Sequence, residues 1–329
     1  MAGKPHHVRW RLEYGAVLAI GALVRALPHA AAQALVWPLA RLSYALAGSR
    51  RREARRRLRL VLGPDAPERD IRRSAWLSFR NTAFNLVDML RIRRFDAAAL
   101  RRQVPQADEA IAHLRAELAA AGGRGVVLAL PHCGNWDLAG SLVELAGLPI
   151  FSVAAKQRNP FMNDLMNRMR GGHGMEVLER DGGPRVYLEM LRRIRRGQVF
   201  AILPDTRSRT PALAVPFLGG TANLARGMAL LAIQAGAPVV PLVMRRVAWR
   251  RFEIEFFPTL RPDPAADRDA EEARITREVL SRFDAAIRAT PEQWFWYNKR
   301  WVLDPVEGSA AAGPSAGSAN ATDRETVRP

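Results

Sequence analysis

The sequence predicts an α/β fold: a central, mostly parallel sheet flanked by helices, with a helical N-terminal membrane-associating region. Three observations carry this. Between residues 125 and 257, short β-branched or leucine-rich runs alternate with stretches of helical periodicity. The runs around Val126 and Val199 are apolar without interruption, as strands covered on both faces are. The N-terminal third reads helical, and its first part is apolar.

Taken in order, residues 14–24 form an apolar run that Arg25 interrupts, and a second run, 26–48, is broken by Pro28, His29, Pro38 and Arg41. Crossing a bilayer takes about 20 predominantly apolar residues, so an interfacial hairpin or amphipathic anchor fits better than a span. A buried helical pair is the competing reading. "RRREARRRLR" (residues 50–59) follows directly, as a solvated helix face or a patch against anionic lipid. Residues 67–94 carry Ile71, Trp76, Phe79, Phe84, Leu86, Met89 and Leu90 at helical spacing, and a further helix over 108–121 stops at Gly122 and Gly123. Strands are then predicted at "GVVLAL", "LPIFSVAA", "GMEVLER", "GQVFAIL", "APVVPLVMRR" and "RRFEIEFF". Helices are predicted at 138–146, 159–170, 184–196, 224–235 and 269–289. This divides the chain into an apolar N-terminal segment (1–48), an α/β domain (49–305) and a disordered Ala/Gly/Ser/Pro tail (306–329).

The formal charge of the 329 residues is +18, and the only lysines are Lys4, Lys156 and Lys299, so the cationic charge is nearly all arginine. Such a balance points to nucleic acid, an anionic membrane surface or a phosphorylated substrate. No nucleic-acid-binding motif accompanies it, and the aromatics lie in apolar helices and in "WFWY" (residues 294–297), so no nucleic-acid partner is expected. No cleavable signal peptide of the usual form opens the chain. The single cysteine, Cys133, excludes an internal disulfide and reads as a small buried hydrophobe. His29, His113 and His173 have no ligand spacing with His132, so no metal site is expected.

Two strand ends carry chemistry. In "LALPHCGNWDLAG" (residues 128–140), His132 follows an apolar run, Gly134 permits a turn, Asn135 suits a helix N-cap, and Asp137 falls in the first helical turn. From there Asp137 reaches back towards the imidazole, as the acid orienting a general base does; equally, Asp137 complements the helix dipole while His132 fills the turn. In "LPDTRSRTPALAVPFLGGTANLARG" (residues 203–227), Asp205 follows another apolar run, with Arg207 and Arg209 behind it. Gly219 and Gly220, read as leading into a helix, would expose backbone N–H groups to a phosphate; an ordinary loop with salt bridges is the alternative.

"HCGNWD", "KQRNPFMNDLMNRMR", "LPDTR…VPFLGGTANLARGMALLAIQAGAPVVPLVMRR" and "PEQWFWYNKRW" occur in this order over residues 14–305. Together they resemble the bacterial lipid A (lauroyl/myristoyl) acyltransferases, within the His-x-x-x-x-Asp/Glu glycerolipid acyltransferase group. The resemblance implies an O-acyltransferase at the cytoplasmic face of a bacterial inner membrane. His132 would deprotonate an acceptor hydroxyl, Asp137 would orient His132, and Arg168, Asp205 and Arg207, with Gly219 and Gly220, would form the acceptor or phosphate site. The implied donor is acyl carrier protein or acyl-CoA, the acceptor a phosphorylated lipid A-type glycolipid or a lysophospholipid, and no cofactor is implied. Two cues diverge: "GNWDLAG" is closer to actinobacterial phosphatidylinositol mannoside acyltransferases, whereas "PEQWFWYNKRW" is closer to the lipid A branch. A thioester or ester hydrolase using the same dyad, and a basic nucleic-acid binder, are the readings from other classes.

Overall fold

The computed structural model describes residues 5–170 and 175–306. Four helices come first: α1 (Pro5–Ala26), α2 (His29–Leu46), α3 (Gly48–Leu62) and α4 (Glu68–Arg91). Two shorter ones, α5 (Ala97–Gln103) and α6 (Ala107–Ala120), lead into the α/β part. Its order is β1 (Val127–Ala129), α7 (Trp136–Leu145), β2 (Ile150–Ala154), α8 (Pro160–Arg170), β3 (Glu176–Glu179), α9 (Gly183–Arg195) and β4 (Val199–Ile202). A hairpin of β5 (Leu213–Phe217) and β6 (Gly220–Leu224) follows, then α10 (Gly227–Ala235), β7 (Val239–Ala248), β8 (Arg251–Phe256) and α11 (Arg268–Ala289).

The six-stranded sheet has the order β3-β2-β4-β1-β7-β8, parallel except for β8, which pairs antiparallel with β7. This is the mostly parallel α/β sheet that the alternating pattern predicts. The two-residue period divides the sheet's apolar side chains between two cores. Val127, Ala129, Phe151 and Phe200 face α9, α10 and α11, while Val126, Leu128, Val199 and Leu242 face α5, α6 and α7. Covering both faces makes the central strands continuously apolar.

One prediction is corrected here, and one element is added. The segment before α10 is a strand: β6 pairs with β5 from Leu213↔Leu224 to Phe217↔Gly220. Gly219 and Gly220 therefore close a tight hairpin and do not open a helix. Leu218 (φ 52°) and Gly219 (φ 81°) are both left-handed, as a type I′ loop requires. Helix α5, capped by the Asp96 side chain on the Ala99 N–H, has too short an apolar pattern to be read from sequence.

At the N-terminus, α1 and α2 pack their inner faces on α4 and α8 through Val24, Ala32, Val87, Leu90 and Leu165. Their outer faces expose Leu12, Ile20, Leu23, Leu35, Leu39 and Leu42. Among the described residues no helix is long and apolar enough to cross a membrane. The tail predicted as disordered lies outside the described residues from 307 onwards.

Candidate active site

Strands β1 and β4 are parallel neighbours with Ala129 opposite Ile202. Each continues with Leu-Pro: Leu130-Pro131-His132 on one, Leu203-Pro204-Asp205 on the other. The register therefore carries His132 and Asp205 off the sheet side by side, although they are 73 positions apart. His132 Nδ1 lies 2.7 Å from Asp205 Oδ1, and the His132 backbone N–H donates to Asp205 Oδ2, also over 2.7 Å. The Trp294 indole N–H donates to the same Oδ2 over 2.7 Å.

Asp205 is fully buried at its side chain, while the His132 side chain is 22% exposed. Burial alone would raise the Asp205 carboxyl; the His132 charge and the hydrogen bonds from His132 and Trp294 outweigh it and hold the group below the usual carboxylate range. An ionised Asp205 can only accept, so Nδ1 carries the proton and Nε2 is left as the base. The acid on Nδ1 is thus Asp205, where the sequence pointed to Asp137. Nor does Asp205 line a substrate surface: it is an internal acid beneath the histidine.

The loop after His132 is held from several sides. Gly134 (φ 56°) sits so close to β7 that a Cβ there would meet the Met244 carbonyl oxygen at 2.0 Å. Asn135 caps α7, its side chain accepting from the Leu138 N–H and donating to Asp88 Oδ2 over 2.9 Å. Asp88, buried, also meets Arg246 Nη2 at 2.6 Å and His29 Nε2 at 2.7 Å. Burial opposes its charge, but Arg246 and His29 hold its carboxyl low. From the C-terminal segment, the Phe295 N–H donates to the His132 carbonyl and the Gly134 N–H to the Gln293 carbonyl. Cys133 is buried beside Trp294, and burial followed by Asp205 pushes its thiol well up, so it is no nucleophile.

His132 opens into a cavity of about 420 Å³ that wraps the carboxyl ends of β1, β2 and β4, between α7 on one side and α9 and α10 on the other. Its walls are largely apolar, including Leu130, Val153, Phe200, Met190 and Leu231. Trp136, with its ring edge-on to His132 at 5.1 Å, and Asp137 belong to this wall. They also line a second cavity, of about 420 Å³, between α4 and the C-terminal segment, with Phe79, Leu86, Met166 and Arg50. Asp137 thus stands at the boundary of two cavities.

The remaining predicted residues are elsewhere. Arg168, exposed on α8, reaches the Tyr14 hydroxyl at 3.3 Å and lines neither cavity. Arg207 donates to the carbonyls of Asp304 and Pro305, fastening the C-terminal segment. Gly219 and Gly220 pack near Arg288 and Leu303. Sequence reasoning missed Trp294, whose place on Asp205 no local pattern reveals. Asp205's partnership had a signal: the repeated Leu-Pro-His and Leu-Pro-Asp endings of two apolar strands.

The model of the bacterial lipid A biosynthesis acyltransferase family matches residues 3–302. The chain belongs to this family. Among its relatives, the phosphatidylinositol mannoside acyltransferase of Mycolicibacterium smegmatis is 32% identical over 290 residues, 86% of this chain and 89% of that protein. The Mycobacterium tuberculosis protein of the same name is 32% identical over 68% of this chain and 69% of its own length. A lipid A biosynthesis acyltransferase of Haemophilus influenzae is 26% identical over 55% of this chain and 54% of that protein. In this member of the family the His132–Asp205 pair lies at the mouth of an apolar cavity.

Proposed function

We propose that this acyltransferase moves a fatty acyl chain from a thioester, on acyl carrier protein or coenzyme A, to a hydroxyl of a phosphorylated glycolipid at a membrane surface. The observation that carries the reading is the pairing of His132 with buried Asp205 at the mouth of an apolar cavity. The acyl chain lies in that cavity, with its carbonyl at His132. The acceptor enters through the cavity beside α4, and Asp137, at the boundary, accepts hydrogen bonds from its hydroxyls. His132 Nε2 removes the proton of the attacking hydroxyl, whose oxygen bonds to the thioester carbonyl carbon. The tetrahedral intermediate collapses with cleavage of the C–S bond, and the thiolate takes the proton back from the imidazolium. Asp205 fixes the tautomer and balances the positive charge that forms on the ring.

For the acceptor, the extent of similarity to the mycobacterial relatives favours a mannoside of phosphatidylinositol over a lipid A precursor. The apolar outer face of α1 and α2 supports contact with the cytoplasmic leaflet of the bilayer. The deciding experiment offers purified protein a radiolabelled palmitoyl thioester with phosphatidylinositol mannoside, a lipid A precursor or a lysophospholipid. Ester formed on the mannoside and absent in His132→Ala is the expected result. Free fatty acid released at the same rate with and without acceptor would make the protein a hydrolase instead.

A further inference from the structure

A third cavity, of about 590 Å³, lies where α2, the end of α4, α5 and the β7–β8 hairpin meet, and it shares no lining residue with the other two. Its floor includes His29, Phe95 and Gln103, all largely buried. Around it stand Arg94, Arg102, Arg250 and Arg251, and no carboxylate lines it. None of these four guanidinium groups makes a hydrogen bond or ion pair among the described residues. Several arginines elsewhere are neutralised: Arg226 by Asp269 and Glu272, Arg274 by Glu271 and Glu278, Arg193 by Glu176 and Glu189. Asp88, behind His29, is already committed to Arg246 and Asn135. Arg91, also in the wall, is pushed below its ordinary value by burial and by neighbouring Arg94.

We infer that this cavity is a binding site for the phosphate of an anionic phospholipid headgroup, separate from the acyl-transfer centre. Guanidinium forks match phosphate oxygens in pairs, and four of them around a concave site supply charge that the protein itself leaves unbalanced. The surroundings select a lipid over a soluble anion. The hairpin tip beside the cavity exposes Val247 and Trp249, at 48% and 40%. Gln33 of α2 donates to the Trp249 carbonyl over 3.0 Å, which joins the tip to the helix exposing Leu35, Leu39 and Leu42. A headgroup held by the arginines leaves its acyl chains beside this apolar rim. Aromatic and arginine side chains are the residue types that settle at the water–lipid boundary. The bilayer orientation rests on the membrane-surface reading above; the binding of the headgroup does not.

The test uses the full-length protein in two formats. Calorimetry with dihexanoyl phosphatidylglycerol below its micelle concentration reads the cavity alone, and flotation with phosphatidylcholine vesicles, with and without phosphatidylglycerol, reads it at a bilayer. Arg102→Gln/Arg250→Gln is expected to weaken the short-chain lipid at least tenfold and to remove the gain that phosphatidylglycerol gives in flotation. Arg196→Gln/Arg277→Gln, which removes the same charge from exposed sites outside the cavity, is expected to keep both. Equal losses in the two double variants would reduce the effect to net charge and overturn the site. So would retention of lipid binding by the cavity variant. A protein that binds the short-chain lipid but floats with no vesicle would keep the site and sink the membrane-surface reading.

Discussion

The two carboxylates near His132 in the strand-end site stand in different surroundings. Asp205 holds Nδ1 and is buried; Asp137 lines both substrate-sized cavities. Asp205→Asn should therefore leave donor binding intact while lowering kcat by about 10²–10⁴-fold, because an amide can hold the ring in the wrong tautomer. Asp137→Asn should act more on the KM for the acceptor. Steady-state kinetics with each substrate varied in turn separates the two, and equal effects of both variants on kcat alone would refute the division of roles. Glu144 on α7 makes a different prediction. Burial, only partly offset by the Met175 backbone, pushes its carboxyl up to about 7. The folded state then binds the proton more tightly than the unfolded state, so stability falls as pH rises from about 4.5 to 7. Glu144→Gln should flatten that decline and raise stability above pH 7 by up to about 3 kcal/mol, read from denaturant unfolding at a series of pH values.

At the scale of elements, the C-terminal segment acts as a clamp on the loop between β1 and α7. It supplies the Gln293 carbonyl, the Phe295 N–H and the Trp294 indole to three points of the site, and Arg57 anchors it by donating to the carbonyls of Trp296 and Asn298. Trp294→Phe keeps an aromatic ring, smaller than the indole, but removes the N–H donor. It should destabilise the fold by about 1–3 kcal/mol and lower kcat with little change in KM; an unchanged kcat would show that His132 alone fixes Asp205. Gly134→Ala should be worse, since its Cβ would collide with the β7 backbone, and the measurement is soluble yield and melting temperature. The order of strands and helices was legible from sequence because central parallel strands are apolar throughout and α9 and α11 are strongly amphipathic. The β5–β6 hairpin was not. Its glycines suit a helix entry as well as a turn, and Leu218 in a left-handed turn is buried at 1%, so packing overrides local preference. The strand-end position of His132 was legible from the turn and cap around it. Its contact with Asp205 was hidden because strand register, which couples residues 73 apart, is not a local property.

For the whole molecule, α2, which carries part of the apolar outer face, is tied to the hairpin beside the unbalanced arginines through the Gln33–Trp249 contact. Leu39→Ser/Leu42→Ser should reduce binding to neutral vesicles several-fold while leaving turnover of a soluble acceptor analogue unchanged, measured by flotation and by transfer in detergent. Loss of turnover without loss of flotation would mean that the face packs on something the catalytic domain needs. The register of β1 against β4 has a consequence for synthesis. His132 leaves the ribosome early, yet its ring is oriented only once Asp205 has docked beside it, and Asp205 is fully held only when Trp294 arrives, 89 positions later. Strands that must wait for distant partners pair slowly. Until then the strand ends that line the cavity carry a His132–Asp205 pair that is not yet fastened from the far side. The arrangement is completed in one late step, when Trp294 and its neighbours close over the end of the first strand of the sheet.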